Sequence, residues 1–169
     1  RAVPLELLRS AIRRVDRTRF KDVQLVVLVL VLLFTFARSE TPCPKTLGGF
    51  DPEQHLQVRD VRVDMQPEFR VRVRLKRIKQ DPRMERPEAR TGGGDWVCIG
   101  DVPGDEAFSL RSWLQGFFRL LGGPRTPGSP FFVQERNDVF DDDDTGDEQP
   151  NGPLVFAPLT YPAALQGFR

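Results

Sequence analysis

From Leu25 to Phe34 the sequence reads "LVVLVLVLLF", with no polar residue in it, and no other stretch limits the possible folds so strongly. Such a run is apolar on every side and must be enclosed by protein or by lipid. With Thr35, Phe36 and Ala37 it reaches thirteen residues, short of the roughly 20 that a membrane span needs. Asp22 and Gln24 lie just before it and Arg38 just after. The expectation is therefore a helix at the centre of a folded domain, most buried from Leu25 to Phe36, with no membrane partner. A single-pass membrane protein with residues 23 to 37 inserted is the alternative. At 169 residues and 39% apolar composition, the chain can build a core in at least part of its length.

The flanking patterns set the fold class. Upstream, Leu5, Leu8, Ile12 and Val15 recur at spacings of three and four, which predicts an amphipathic helix with Arg9, Arg13 and Arg14 on its outer side. Downstream, Pro42 and Pro44 stop regular helix, and "TLGGFDPEQH" reads as a loop. The period then changes to two. In "HLQVRDVRVDM" and "FRVRVRLKRI" apolar and polar residues alternate, so Val71, Val73 and Leu75 face one way and Arg70, Arg72, Arg74 and Lys76 the other. A third strand is expected in "DWVCIGDV", residues 95 to 102. Ser109 caps a helix in "SLRSWLQGFFRLLGG" that Gly122 stops, with Leu110, Trp113, Leu114, Phe117, Phe118 and Leu121 inward. The class is α+β: a mainly helical domain with a small three-stranded antiparallel sheet.

Charge is segregated along the chain. Residues 1 to 21 carry a local balance of +5, residues 70 to 90 one of +6, and residues 135 to 148 hold eight acids against Arg136. Two basic blocks suit a polyanion, while the acidic block stays away from it. Residues 134 to 152 are expected to form a disordered acidic insertion. Gly92 to Gly94 lack phosphate-loop spacing and are not followed by Lys-Ser or Lys-Thr. Cys43, Cys98 and the single His55 give no zinc-binding spacing. No metal and no cofactor are expected, and the absence of a secretory signal fits an intracellular site.

The order of these elements, with the words "LLFTFARSE" and "VRLKRIKQD", resembles the first half to two-thirds of the catalytic domain of tyrosine recombinases, the DNA integrase family. The resemblance implies a site-specific DNA breaking and rejoining activity of mobile-element type. It also implies double-stranded DNA as partner, self-association on DNA in the full-length protein and, in a eukaryote, a nuclear location. In that family a tyrosine hydroxyl attacks a phosphodiester, and fixed cations meet the charge that develops on phosphorus. Arg38, at the end of the buried helix, is implied to grip a nonbridging phosphate oxygen with its forked donors. Lys79 is implied to protonate the leaving 5' oxygen, with Lys76 the other candidate in "LKRIKQD". Arg13, Arg14, Arg72, Arg74 and Lys76 are the expected phosphate contacts. Arg38 also suits a plain cap on a helix C-terminus, and Lys79 a solvent-exposed turn.

The chain departs from the family pattern in several places. Arg38-Ser39-Glu40 is one residue shorter than the usual spacing from arginine to acid, and Pro42 interrupts the helix that the family would start there. The His-x-x-Arg motif and a tyrosine nucleophile after it are missing. His55 comes too early, and Tyr161 in "LTYPAALQGF" is expected to start a helix in a structural role. Arg1 in place of Met and the stop at Arg169 are read as edges of a longer protein, so residues 1 to 169 are expected to be a partial catalytic domain, inactive alone. A noncatalytic nucleic-acid or interaction module is the other reading.

Overall fold

The computed structural model describes residues 4–37, 41–64, 68–76, 95–102, 104–135 and 156–166. Helix α1 spans Leu5–Arg13 and α2 spans Phe20–Thr35. Short 3-10 turns at Leu47–Gly49 and Val58–Asp60 lead into strands β1 (Val61–Asp64), β2 (Arg70–Leu75) and β3 (Asp95–Gly100). Helix α3 (Leu110–Leu121) follows, then strands β4 (Val133–Glu135) and β5 (Phe156–Pro158), and helix α4 (Tyr161–Gln166). The class is α+β, with four α-helices and a three-stranded sheet among the described residues.

Helix α2 is the centre of the core. It begins five residues before Leu25 and buries Val23, Val26, Val27, Leu28, Leu30 and Val31. At 16 residues it is about 24 Å long, and no helix among the described residues is long and apolar enough to cross a membrane. Gln24, a polar residue at the flank of the apolar run, is buried with the rest. Its amide Nε2 donates to the Val133 carbonyl at 2.6 Å, and its Oε1 accepts from the Val133 N–H at 2.8 Å. One side chain thus stands in for a neighbouring strand and fastens α2 to β4.

The helix ends at Thr35, one residue short of the expected Phe36. Phe36 adopts a left-handed conformation, φ 52°, and is 91% exposed. A left-handed residue commonly closes a helix, and glycine does so without a Cβ penalty. Thr35 Oγ1 donates to the Val31 carbonyl at 2.6 Å and accepts from the Ala37 N–H at 3.3 Å, which steadies the exit. Phe36→Gly is therefore expected to raise stability by about 1 kcal/mol in urea unfolding, because it relieves the left-handed strain. A loss of stability would show that the ring makes a contact worth more than the strain.

Helix α3 behaves as its sequence predicts at both ends. Ser109 Oγ accepts from the Ser112 N–H at 3.3 Å, and Gly122 closes the helix at φ 78°. Leu110, Trp113, Leu114 and Phe117 are buried. Phe118, expected inward, is 41% exposed and sits at the edge of the aromatic cluster, 5.5 Å from Phe117 and 6.4 Å from Phe131. Phe117 lies 5.6 Å from Phe20 of α2 and 5.5 Å from Phe131, so it joins both helices to the segment before β4. The Trp113 indole N–H donates to the Ala107 carbonyl at 3.1 Å, which satisfies its polar edge inside the core.

Helix α1 is less regular in its burial than its spacing suggests. Ile12 is buried, Leu8 and Val15 are half-buried, and Leu5 is exposed. Arg9, expected outward, turns to the protein: its Nε donates to Asp105 Oδ2 at 2.9 Å, and the guanidinium lies 5.1 Å from the Phe108 ring. Beyond α1, the Arg17 guanidinium sits 4.3 Å over Trp113 and donates to Ser112 Oγ at 3.0 Å. Cation-aromatic contacts of this kind fix the N-terminal segment against α3.

The three-stranded sheet is antiparallel with order β1-β2-β3. Val71 and Val73 are fully buried beneath it with Leu75 and Ile99. β3 ends at Gly100, so the two last residues of "DWVCIGDV" lie past the strand. β1 is also shorter than its alternating segment, because Val58–Asp60 winds into a turn before it. Gln134 and Glu135, within the expected acidic insertion, belong to β4 and pair with Ala157 and Phe156 of β5. The rest of the insertion lies outside the described residues.

Candidate nucleic-acid interface

The register of the sheet builds its outer face residue by residue. Val61 opposes Val73 and Val63 opposes Val71 on the core side, so Arg62 opposes Arg72 and Asp64 opposes Arg70 on the other. Across the second seam Arg72 opposes Cys98 and Arg74 opposes Trp96. Arg62, Arg70, Arg72 and Arg74 therefore share one face with Trp96. Side chains two residues apart on a strand are separated by about 7 Å, so the β2 arginines form an evenly spaced row.

Acids temper this face. Arg70 pairs with Glu68 at 2.7 Å and Arg72 with Asp64 at 3.0 Å. Both pairs are open to solvent, where such contacts add little to stability. The Glu68 carboxylate holds the Arg70 guanidinium pKa above its ordinary value. Against the four arginines stand Asp64, Glu68 and, beside Arg74, the buried Asp60, and the remainder is a positive surface. The Nε–H groups of Arg72 and Arg74 have no hydrogen-bond partner among the described residues.

Lys76 does not share that surface. Just past β2 its side chain folds back, and the ammonium lies 2.5 Å from Asp60 Oδ2, 3.0 Å from the His55 carbonyl and 3.1 Å from Gln57 Oε1. Its side chain is 10% exposed and Asp60 is 0% exposed. The expected phosphate contact through Lys76 is therefore corrected: its three donors are spent on a buried carboxylate and neutral oxygens. Asp60 Oδ2 also accepts from the Gln57 N–H at 2.9 Å, closing the 3-10 turn. Arg74 approaches the other oxygen at 3.9 Å. His55 beside them is buried, its Nδ1 accepting from the Asp51 N–H at 2.7 Å, and burial pushes its pKa down. It is a satisfied interior residue.

Of the other candidates, Arg13 in the last turn of α1 and Arg14 just after it are exposed. Arg38 and Lys79 lie outside the described residues. The ends of the two connections that carry them are described, and they converge. The Leu56 N–H donates to the Thr41 carbonyl at 3.1 Å, and the Lys76 ammonium binds the adjacent His55 carbonyl. Thr41 is three residues after Arg38, and Lys76 three before Lys79.

Tyr161 begins α4, as expected. Cys43 is buried, which pushes its thiol up to about 12, while Cys98 is exposed on the arginine face. Among the described residues no three His, Cys, Asp or Glu side chains gather as a metal site would require. Sequence reasoning missed Arg62, Asp60 and Trp96. The alternation that flagged Arg70, Arg72 and Arg74 also runs through Arg62, which could have been found from it. Compared with protein-family models, curated proteins and solved structures, the chain matches none.

Proposed function

We propose that this chain is the DNA-directed part of a breaking and rejoining domain of the tyrosine-recombinase type. The observation that carries the reading is the convergence of the two connections on His55 and Leu56. Arg38 is three residues from Thr41 and Lys79 three from Lys76, and these two anchors bind the adjacent residues Leu56 and His55. In this reading the end of a buried helix presents an arginine, and the end of a strand a lysine, to one phosphodiester.

In this reading Arg38 donates two N–H groups to a nonbridging oxygen and stabilises the charge that builds on phosphorus. Lys79 gives its proton to the leaving 5' oxygen. The sequence holds no His-x-x-Arg motif and no tyrosine after one, so in this reading the chain alone binds DNA without cutting it. Arg13, Arg14, Arg72 and Arg74 supply phosphate contacts that hold the duplex. Lys76 instead secures the strand end from which Lys79 is presented.

Duplex binding is expected to weaken steeply with salt, since each neutralised phosphate releases condensed counterions. Anisotropy of a labelled duplex measures it. Arg72→Ala with Arg74→Ala should lower the slope of log affinity against log salt by about two, one per lost contact. No binding at low salt, or binding indifferent to salt, overturns the polyanion reading.

A further inference from the structure

Trp96 is not accounted for by duplex binding. It is 40% exposed on the outer face of the sheet, whereas the other tryptophan, Trp113, is 2% exposed. The Arg62 guanidinium lies over its ring at 4.8 Å from the centroid. The two residues come from the outer strands β1 and β3, so their contact bridges β2 beside Arg72 and Arg74. An indole and a guanidinium plane are the two side-chain surfaces on which an unpaired base stacks.

We propose that this sheet face binds single-stranded nucleic acid, with Arg70, Arg72 and Arg74 tracking the backbone and the Trp96–Arg62 pair receiving a base. The row of arginines repeats every second residue, at about 7 Å along β2, and so offers successive phosphates a cation each. The exposed acids Glu68 and Asp64 yield Arg70 and Arg72 readily, because surface ion pairs hold weakly, while Arg74 lies 3.9 Å from the buried Asp60 and turns only its free donors outward. The Nε–H groups of Arg72 and Arg74 are buried and unmatched, and they gain oxygen acceptors when the side chains swing outward to the ligand. A duplex meets the same cations, but its bases are stacked inside and present no ring to Trp96. The inference adds an unpaired-strand site to the nucleic-acid reading and stands whether or not Arg38 and Lys79 take part in cleavage.

The test uses the whole chain with a labelled oligothymidylate and, separately, a duplex of equal length. Binding of the oligothymidylate should quench tryptophan emission, with Trp113 giving a constant buried background. Trp96→Ala should weaken oligothymidylate binding about tenfold or more, Trp96→Phe should restore most of it, and duplex affinity should stay unchanged in both. Circular dichroism confirms that the variants fold. Unchanged oligothymidylate affinity in Trp96→Ala, or equal losses for duplex and single strand, would overturn the stacking site. Retained Trp96-dependent single-strand binding without any duplex binding would support it and sink the duplex reading alone.

Discussion

Alanine in place of Asp60 is expected to remove about 3–5 kcal/mol of folding stability, the usual cost of leaving a buried ion without its partner. Whole domains have only about 5–15 kcal/mol to lose, so the variant should unfold at far lower urea. The loss has two sources. The Lys76 ammonium would stay inside with only neutral oxygens around it, and the Gln57 N–H would lose its acceptor. Glu68→Ala provides the contrast, since it breaks a pair of similar length, 2.7 Å, that lies in solvent, and should leave the urea midpoint nearly where it was. A joint change, Asp60→Leu with Lys76→Met, should recover much of the loss, because an apolar pair needs no desolvation of charge. If Asp60→Ala unfolds at the same urea concentration as Glu68→Ala, the buried pair contributes no more than a surface one.

The second large effect is chemical and, in the proposed reading, is measured with this chain extended by a segment that carries the His-x-x-Arg motif and the tyrosine. There, Arg38→Ala should slow strand cleavage about a hundredfold to a thousandfold, the common cost of losing one fixed donor to a developing oxyanion. Duplex affinity should hardly change, because Arg13, Arg14, Arg72 and Arg74 provide most phosphate contacts in the proposed reading. Lys79→Ala should slow cleavage as well, for a different reason. A 5' bridging phosphorothiolate leaves without a proton, so it should rescue Lys79→Ala and leave Arg38→Ala slow. Tyr161→Phe should form the covalent adduct at the normal rate, since Tyr161 begins a short structural helix. Normal cleavage by a folded Arg38→Ala, or loss of the adduct in Tyr161→Phe, would show that the roles are assigned to the wrong residues.

The parts of the fold that were legible in the sequence are those set by local period and local caps. Val71, Val73 and Leu75 alternate with arginines, and a strand has no other way to bury the first set. Ser109 and Gly122 bracket α3 because their chemistry acts within one turn. Leu25 to Phe34 had to be enclosed whatever its neighbours were. What the sequence concealed depends on contacts between distant residues. Gln24 and Val133 are 109 positions apart, and no local pattern says that an amide at a helix flank will mimic a strand. The carboxylate of Asp60 is held by Lys76 from just past β2, a pairing that alternation along one strand does not reveal, so Lys76 read as a phosphate contact. Arg9 was misplaced for the same reason, its partner Asp105 being 96 positions away. The candidate chemistry was legible only as two words in order. The anchoring of their flanks to one short loop needed three-dimensional positions.

The pairing of β4 with β5 carries a consequence for how this protein can change. Glu135 opposes Phe156 in that ladder, so the chain that leaves the core at one returns beside it at the other. The two described residues that bracket positions 136–155 are thus held side by side. Closing a loop twice as long costs only about 0.6 kcal/mol more. Lengthening the chain between Glu135 and Phe156 should therefore place little demand on the β4–β5 pairing. That makes it a position where an experimenter can splice in a reporter domain between two ends already held together.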